Sequence, residues 1–529
     1  MMLLQGKHQM EATRAMITGA SIAITLAVVY WAWKVVNWLW MRPKRLEKLL
    51  RKQGLNGNSY RPFVGDVLEM VKMGTEATSK PMNQLSDDIV PRIFSFFCHT
   101  INKYGKNSFT WFGPTPRIIV TDPQLVKDLL NNNHDFPKPY VNPLISILVT
   151  GLVNLEGEKW NKHRRIINPA FHVEKLKSML PTFFKICNDM INKWEEKLAS
   201  EGGSCEMDVW PSLQNLTSEI ISQTAFGNLE EGRRITELQK EQIQLISKVI
   251  LKVSIPGWRF LPTSTKRRIM QIDREIEELL IDMITKREKA FEAGEATKND
   301  LLGILLESNH KEIQEHGNNK DVGMTLKDVI EESKVFYVAG QETTSNLLVW
   351  TIVLLSRFPD WQARARDEVI EFFGNQKPDF DGLSHLKIVT MILYEVLRLY
   401  PPATIVVRTV HKDMKLGNLT LPEGVQIAIP SLMIHHDSTL WGDDANEFKP
   451  DRFSEGVLKA TNGQVSFLPF GWGPRICIGQ NFAILEAKMA LALILQRFSF
   501  ELSPAYSHAP ITSQTLGPKY GAQVLLHRL

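Results

Sequence analysis

The 529 residues, 43% of them hydrophobic, are enough for one large catalytic core or for two or three ordinary domains. With 62 basic against 58 acidic side chains the net charge is only +4, which gives no global electrostatic case for a nucleic-acid partner. Cys98, Cys187, Cys205 and Cys477 are scattered without a Cys-x-x-Cys pair, an argument against a secreted disulfide scaffold or a zinc module and in favour of a reducing compartment.

Residues 15–33 carry no charge and, at about 1.5 Å of rise per residue, are long enough to cross a bilayer. Tyr30, Trp31, Trp33, Trp38 and Trp40 form an aromatic belt at the end of this run, and Arg42, Lys44, Arg45, Lys48, Arg51 and Lys52 follow. No small-residue cleavage signature intervenes, so the segment reads as a retained signal anchor. The positive-inside rule then gives a short lumenal N-terminus (1–14), a transmembrane anchor (15–40), a basic linker (41–60) and a cytosolic domain (61–529). In the cytosol the triplets Asn215-Leu216-Thr217 and Asn418-Leu419-Thr420 stay unmodified.

Residues 54–65 are rich in turn formers, and 109–112 and 117–121 predict strands of a small sheet. Helical spacing dominates afterwards, in 175–198, 212–226, 235–253 and 267–291, so the domain is expected to be mainly α with small β-sheets. The polar stretches 294–300 and 310–322 read as loops. Thr325, with Asp328 three residues on, predicts the cap of a helix of about thirty residues that ends at Phe358-Pro359, long enough to traverse the domain. A shorter helix, 388–400, ends at Pro401-Pro402. His435 and His436 fall on a segment expected to be extended, which would point them to opposite sides, and neither has a further ligand at zinc spacing.

The densest chemical signal is Phe470-Gly471-Trp472-Gly473-Pro474-Arg475-Ile476-Cys477-Ile478-Gly479, a glycine-rich loop leading into the helical run 481–496. Its glycines permit close approach of backbone to a flat ligand and free amide N–H groups for a sulfur, while the helix N-terminus favours a thiolate. A lone cysteine in such a turn is more often inert and buried. This loop, however, resembles the haem-binding signature of the cytochromes P450 at every defined position: Phe470, Gly473, Arg475, Cys477 and Gly479.

Three further motifs resemble that family, in its order, over the whole of 61–529. Trp160 and Arg164, four apart on one helical face, match a pair that reaches a haem propionate; the resemblance adds Arg408 and Arg475 to the set, because two buried carboxylates require paired charge. Ala339-Gly340-Gln341-Glu342-Thr343-Thr344 matches the oxygen-activation motif. There Gly340 is expected to let the long helix open locally, and Glu342 and Thr343 to supply an acid and a hydroxyl for proton delivery. Glu395 and Arg398 match a buried pair joined by Arg452, a structural network in which loss of one partner leaves an uncompensated charge.

The resemblance implies a cytochrome P450 fold behind a single transmembrane helix, and haem (heme b, iron protoporphyrin IX) held by Cys477. It also implies NADPH electrons arriving through a cytochrome P450 reductase, and residence in the endoplasmic reticulum membrane. Lys159, Lys162 and Arg165 are a candidate basic face for that reductase. Residues 162–172, 338–350, 392–402, 435–448 and 468–488 are similar to the plant group that contains secologanin synthase and triterpenoid oxidases. The expected substrate is an apolar plant terpenoid, first a pentacyclic triterpenoid of oleanane type; the alternatives are a monoterpenoid or secoiridoid and a hormone such as a gibberellin, brassinosteroid or cytokinin. By the same resemblance the substrate is lined by 140–152, 335–338, 403–407 and 512–516, segments rich in Val, Ile, Ala and Thr. A hydroperoxide-rearranging enzyme and a non-catalytic haem carrier are the rivals, and neither accounts as well for Glu342-Thr343.

Overall fold

In the computed structural model, residues 2–140, 143–148, 150–227, 229–253, 263–294 and 300–529 are described. The N-terminal helix Met2–Val36 runs through a five-residue π-helical turn, Asn37–Met41, into a second helix, Arg42–Lys52. Among the described residues one helix, Met16–Lys52, is long and apolar enough to span a membrane. The apolar side chains of its first part, including Ile17, Ile24, Leu26 and Trp31, are exposed, as is consistent with an anchor surrounded by lipid.

The stretch 41–60, expected as a linker, is folded against the domain. Leu46 and Leu50 lie four apart on one helical face and are buried with Leu55 and Tyr60 among Phe109, Trp111, Ile118 and Val120. Arg45, Lys48 and Lys52 take the outer face. Tyr60 donates its hydroxyl to Leu39 O at 2.7 Å, and Arg42 Nη2 donates to Glu423 O at 3.3 Å, so the anchor joins the domain by specific bonds. The leucines decide this, against the impression left by the charges.

The first sheet has five strands in the order Asn56–Gly57, Ser108–Phe112, Thr115–Ile119, Gln426–Ile429 and Val406–Thr409. It brings the chain after residue 400 back beside the N-terminal strands. Smaller sheets follow, among them the hairpin Pro510–Thr512 with Leu516–Pro518. The predicted helices are all present with slightly wider bounds, Val173–Ser200, Trp210–Phe226, Leu229–Val253 and Ser264–Glu292. One polar stretch differs: helix Leu301–Glu315 carries the first half of 310–322, because its buried turn from Leu301 to Leu306 nucleates a helix whose polar end projects outward. Most of 294–300 lies outside the described residues.

Thr325 and Asp328 form a reciprocal capping box, with Thr325 Oγ1 accepting Asp328 N and Asp328 Oδ2 accepting Thr325 N. The central helix then runs from Leu326 to Arg357, 32 residues, about 48 Å at 1.5 Å per residue. Its second half packs Trp350 face to face on Tyr400, with centroids 4.3 Å apart. His435 and His436 end a short helix, Ser431–His435, instead of an extended segment, and both are fully enclosed by hydrogen-bonding partners.

Candidate active site

The central helix is buried on either side of its middle but not in it. Asp328 to Tyr337 and Thr344 to Ser356 are almost wholly covered, whereas Val338 to Thr343 are partly accessible and Ala339 is exposed. Accessible surface in the middle of a core helix means a recess inside the domain. The helix does not open there, contrary to the expectation for Gly340: the α-helix is continuous from Leu326 to Arg357. What Gly340 provides is close packing, since an added Cβ would lie 2.9 Å from Ile221 Cδ1 on helix Trp210–Phe226. That contact explains a residue that otherwise costs a helix about 1 kcal/mol relative to alanine. Thr343 Oγ1 donates to Ala339 O at 2.7 Å, one turn back, and Glu342 Oε1 accepts the hydroxyl of Thr515 at 2.5 Å.

The cysteine loop folds on its own backbone. Cys477 N donates to Phe470 O at 2.8 Å, Ile476 N to Gly473 O at 3.0 Å, and Gly471 N to Leu468 O at 3.0 Å. Gly473 has φ +71°, and a Cβ there would come within 2.5 Å of Leu130 O, so only glycine fits. Cys477 has exposed surface, yet burial pushes its thiol up. Both hold because the sulfur faces an interior recess and not the outside of the molecule. The backbone of Gly479 and the charge of Arg164 act in the opposite direction and favour the thiolate.

Four cations gather nearby around one carboxylate. Arg164 Nη1 donates to Ile476 O at 3.0 Å; Arg475 Nη1 donates to Leu155 O at 2.7 Å, and its Nη2 pairs with Glu156. The Arg475 guanidinium lies 4.1 Å above the ring of Trp160, so Trp160 meets an arginine face. Arg408 is 6% accessible and gives one bond, to Val407 O at 3.0 Å. Lys138, which has no motif to announce it, donates to Val153 O. Burial, then the charge of Arg475, lowers Arg408 to about 10; burial, then Arg475 and Arg408, lowers Lys138 to about 7. Such an excess of enclosed positive charge calls for an anionic partner. A group bearing carboxylates fits the donor set.

Behind the loop, Arg398 Nε and Nη2 bind Glu395 at 2.8 and 2.7 Å, and Arg452 Nε reaches Glu395 Oε1 at 3.3 Å. Arg398 and Glu395 are fully buried, and the Arg452 side chain is largely covered. Arg398 Nη1 also donates to His435 O and Ala445 O. This network carries no accessible chemistry and holds the strands of chain that frame the loop.

Among the described residues, the segments expected to line the substrate differ in access. Phe336 packs edge-on against Phe171 and Tyr337 stacks on Phe226, so of 335–338 only Val338 has substantial access to the recess. Ala403 and Thr512 are exposed, while part of 140–152 lies outside the described residues. On the basic face of the Trp160 helix, Gly157–Ile167, Lys159 pairs with Asp328 at 2.6 Å, Arg165 with Glu312 at 2.6 Å, and Lys162 donates to Gly323 O at 2.8 Å, while the Lys159 and Arg165 side chains stay exposed at the surface.

Residues 82–526 match the family described as Cytochrome P450. Cytochrome P450 72A68 of Medicago truncatula is 58% identical over 509 residues, 96% of this chain and 97% of its own length. An 11-oxo-beta-amyrin 30-oxidase of Glycyrrhiza uralensis is 55% identical over 509 residues, covering 96% and 97%. Cytochrome P450 72A15 of Arabidopsis thaliana is 54% identical over 515 residues, covering 97% and 99%. With a family match over most of its length and relatives of this similarity along nearly all of it, the chain belongs to the cytochrome P450 family and is a plant P450 monooxygenase.

Proposed function

We propose that the protein oxidises a pentacyclic triterpenoid of oleanane type, taking NADPH electrons from a cytochrome P450 reductase. The observation that carries the substrate class is the 55% identity, along almost the full length of both chains, to 11-oxo-beta-amyrin 30-oxidases of Glycyrrhiza uralensis and Medicago truncatula. The partly accessible apolar residues Val338, Ile405, Val406 and Val407, with the exposed Ala339, suit a hydrocarbon skeleton held by burial.

Family membership implies a haem iron cofactor, which when bound supplies dioxygen activation and the transfer of one oxygen atom to carbon. Cys477 Sγ is the ligand that would hold the iron, and Phe470, Gly473 and Gly479 shape its loop. Trp160, Arg164, Arg408 and Arg475, with Lys138, would hold the propionates, which supply the negative charge that this cluster lacks. Gly340 keeps the central helix tight on its neighbour, and the accessible turn beside it would leave room for a substrate. Glu342 and Thr343 are the proton carriers: Thr343 Oγ1 has to turn from Ala339 O before it can donate, and Glu342, whose Oε1 accepts from Thr515, has to take up a proton before it can pass one on.

An apolar N-terminal helix followed by a basic run supports a catalytic domain on the cytosolic face of the endoplasmic reticulum, where a reductase would meet it. The test is microsomal co-expression with a plant reductase, NADPH, and a panel of β-amyrin, 11-oxo-β-amyrin, an iridoid monoterpenoid and a gibberellin, with mass analysis of products. Gain of one oxygen by an oleanane is the expected result. Turnover of the monoterpenoid or the gibberellin alone overturns the substrate class.

A further inference from the structure

Glu342 is held by the tip of the C-terminal hairpin. Thr515, in the turn between Pro510–Thr512 and Leu516–Pro518, donates its hydroxyl to Glu342 Oε1 at 2.5 Å, and the same hydroxyl oxygen accepts Asn346 Nδ2 at 2.7 Å. A threonine hydroxyl has one proton to give, so its donor is spent on the carboxylate. Asn346 lies one helical turn beyond Glu342, is 1% accessible, and its Oδ1 has no partner. That orphaned oxygen is a second acceptor in the same cluster. With the amide turned over, Oδ1 would take the Thr515 proton and the carboxylate would be released.

The hairpin is fixed at its base and accessible at its tip. Trp350 Nε1 donates to Leu516 O at 2.9 Å and Leu516 N to Pro402 O at 3.0 Å, which fastens the second strand to the central helix and to the chain at Pro402. Thr512, Ser513 and Gln514 are exposed. Gly517 leaves the space that the Asn346 amide occupies, since a Cβ there would lie 3.0 Å from Asn346 Oδ1. A molecule pressing on the tip therefore acts on Thr515, and through one hydrogen bond on Glu342.

We infer that Thr515 is a positioning residue for Glu342, tying release of the carboxylate to contact between substrate and the hairpin tip. The inference rests on the proposed role of Glu342 in proton delivery. Infrared spectra of the haem-loaded full chain read the carboxylate directly, as the difference between wild type and Glu342→Gln. Thr515→Val, which keeps the shape and removes the hydroxyl, is expected to shift that carboxylate band, and Thr515→Ser to leave it in place. With reductase and 11-oxo-β-amyrin as the probe, Thr515→Val is expected to lower product formed per NADPH by roughly two- to tenfold, and to have no further effect in the Glu342→Gln background. A band unmoved by Thr515→Val overturns the inference, as does the same loss of coupling in both backgrounds, which would make Thr515 a lining residue alone. If Glu342→Gln leaves coupling intact, the proton-delivery role is wrong, and the band shift still decides whether Thr515 holds the carboxylate.

Discussion

His435 Nε2 accepts the backbone N–H of Leu468 at 2.8 Å, two residues ahead of Phe470, where the cysteine loop begins. For Nε2 to accept, the ring proton must sit on Nδ1, where it is donated to Arg398 O at 3.1 Å. Burial, with the charge of Arg398, holds this imidazole neutral and lowers it to about 3. In the unfolded chain a histidine titrates near 6.5, so between about 6.5 and 3 the unfolded state binds the extra proton and stability falls as pH falls. The slope from this one group is about 1.4 kcal/mol per pH unit within that window. Melting temperatures at pH 7 and pH 5 should therefore differ more in wild type than in His435→Asn, whose amide oxygen can still accept Leu468 N; equal differences would remove His435 as a source.

Arg398 spends its guanidinium on Glu395 and on three carbonyls, those of His435, Ala445 and Glu447. Arg398→Ala leaves Glu395 buried and short of its main partner, a loss of about 3–5 kcal/mol. Arg398→Lys carries the charge but not the fork, and one ammonium with three protons cannot make five bonds. Both variants are expected to lose folded protein, Lys less severely, as read by melting temperature and by haem content per chain. A lysine variant as stable as wild type would show that charge alone matters here.

The fold was legible where periodicity and caps are strong: the Thr325 cap, the central helix and the four long helices sit within a few residues of their predicted bounds. The cysteine loop was legible because five fixed positions in ten residues leave little room for chance. Lys138 was not, because it reaches Arg408 and Arg475 only through the fold and its neighbours in sequence carry no pattern. The helix Arg42–Lys52 was hidden for the opposite reason, a conspicuous run of charges masking two leucines at helical spacing. Gly340 stands out in the sequence, but its packing reason does not, since a sequence shows a glycine in a helix and not the isoleucine lying across it.

The Gly340 correction is itself testable. Gly340→Ala would bring a methyl within 2.9 Å of Ile221 Cδ1 and Cγ1, and overpacking of this kind costs about 1–3 kcal/mol. Ile221→Ala opens a cavity alone, yet removes both clashing atoms. The double variant is expected to be more stable than the sum of the two single losses. Strict additivity in melting free energy would mean that Gly340 is there for the recess and not for the helix crossing.

Thr343 separates a structural hydroxyl from a chemical one. Among the described residues its hydroxyl bonds to Ala339 O on its own helix, a back-bond whose loss slightly favours a helix if it does anything. Thr343→Ala should therefore leave melting temperature and haem content near wild type. If Thr343 Oγ1 carries a proton toward the recess, the same variant consumes NADPH and dioxygen while releasing peroxide in place of hydroxylated product. Thr343→Ser should restore most of the coupling, since it keeps the oxygen and drops only a methyl. Peroxide yield per NADPH, measured beside product yield in the three proteins, decides the matter: equal coupling in wild type and Thr343→Ala would take this hydroxyl out of the relay and leave Glu342 and water to supply the proton.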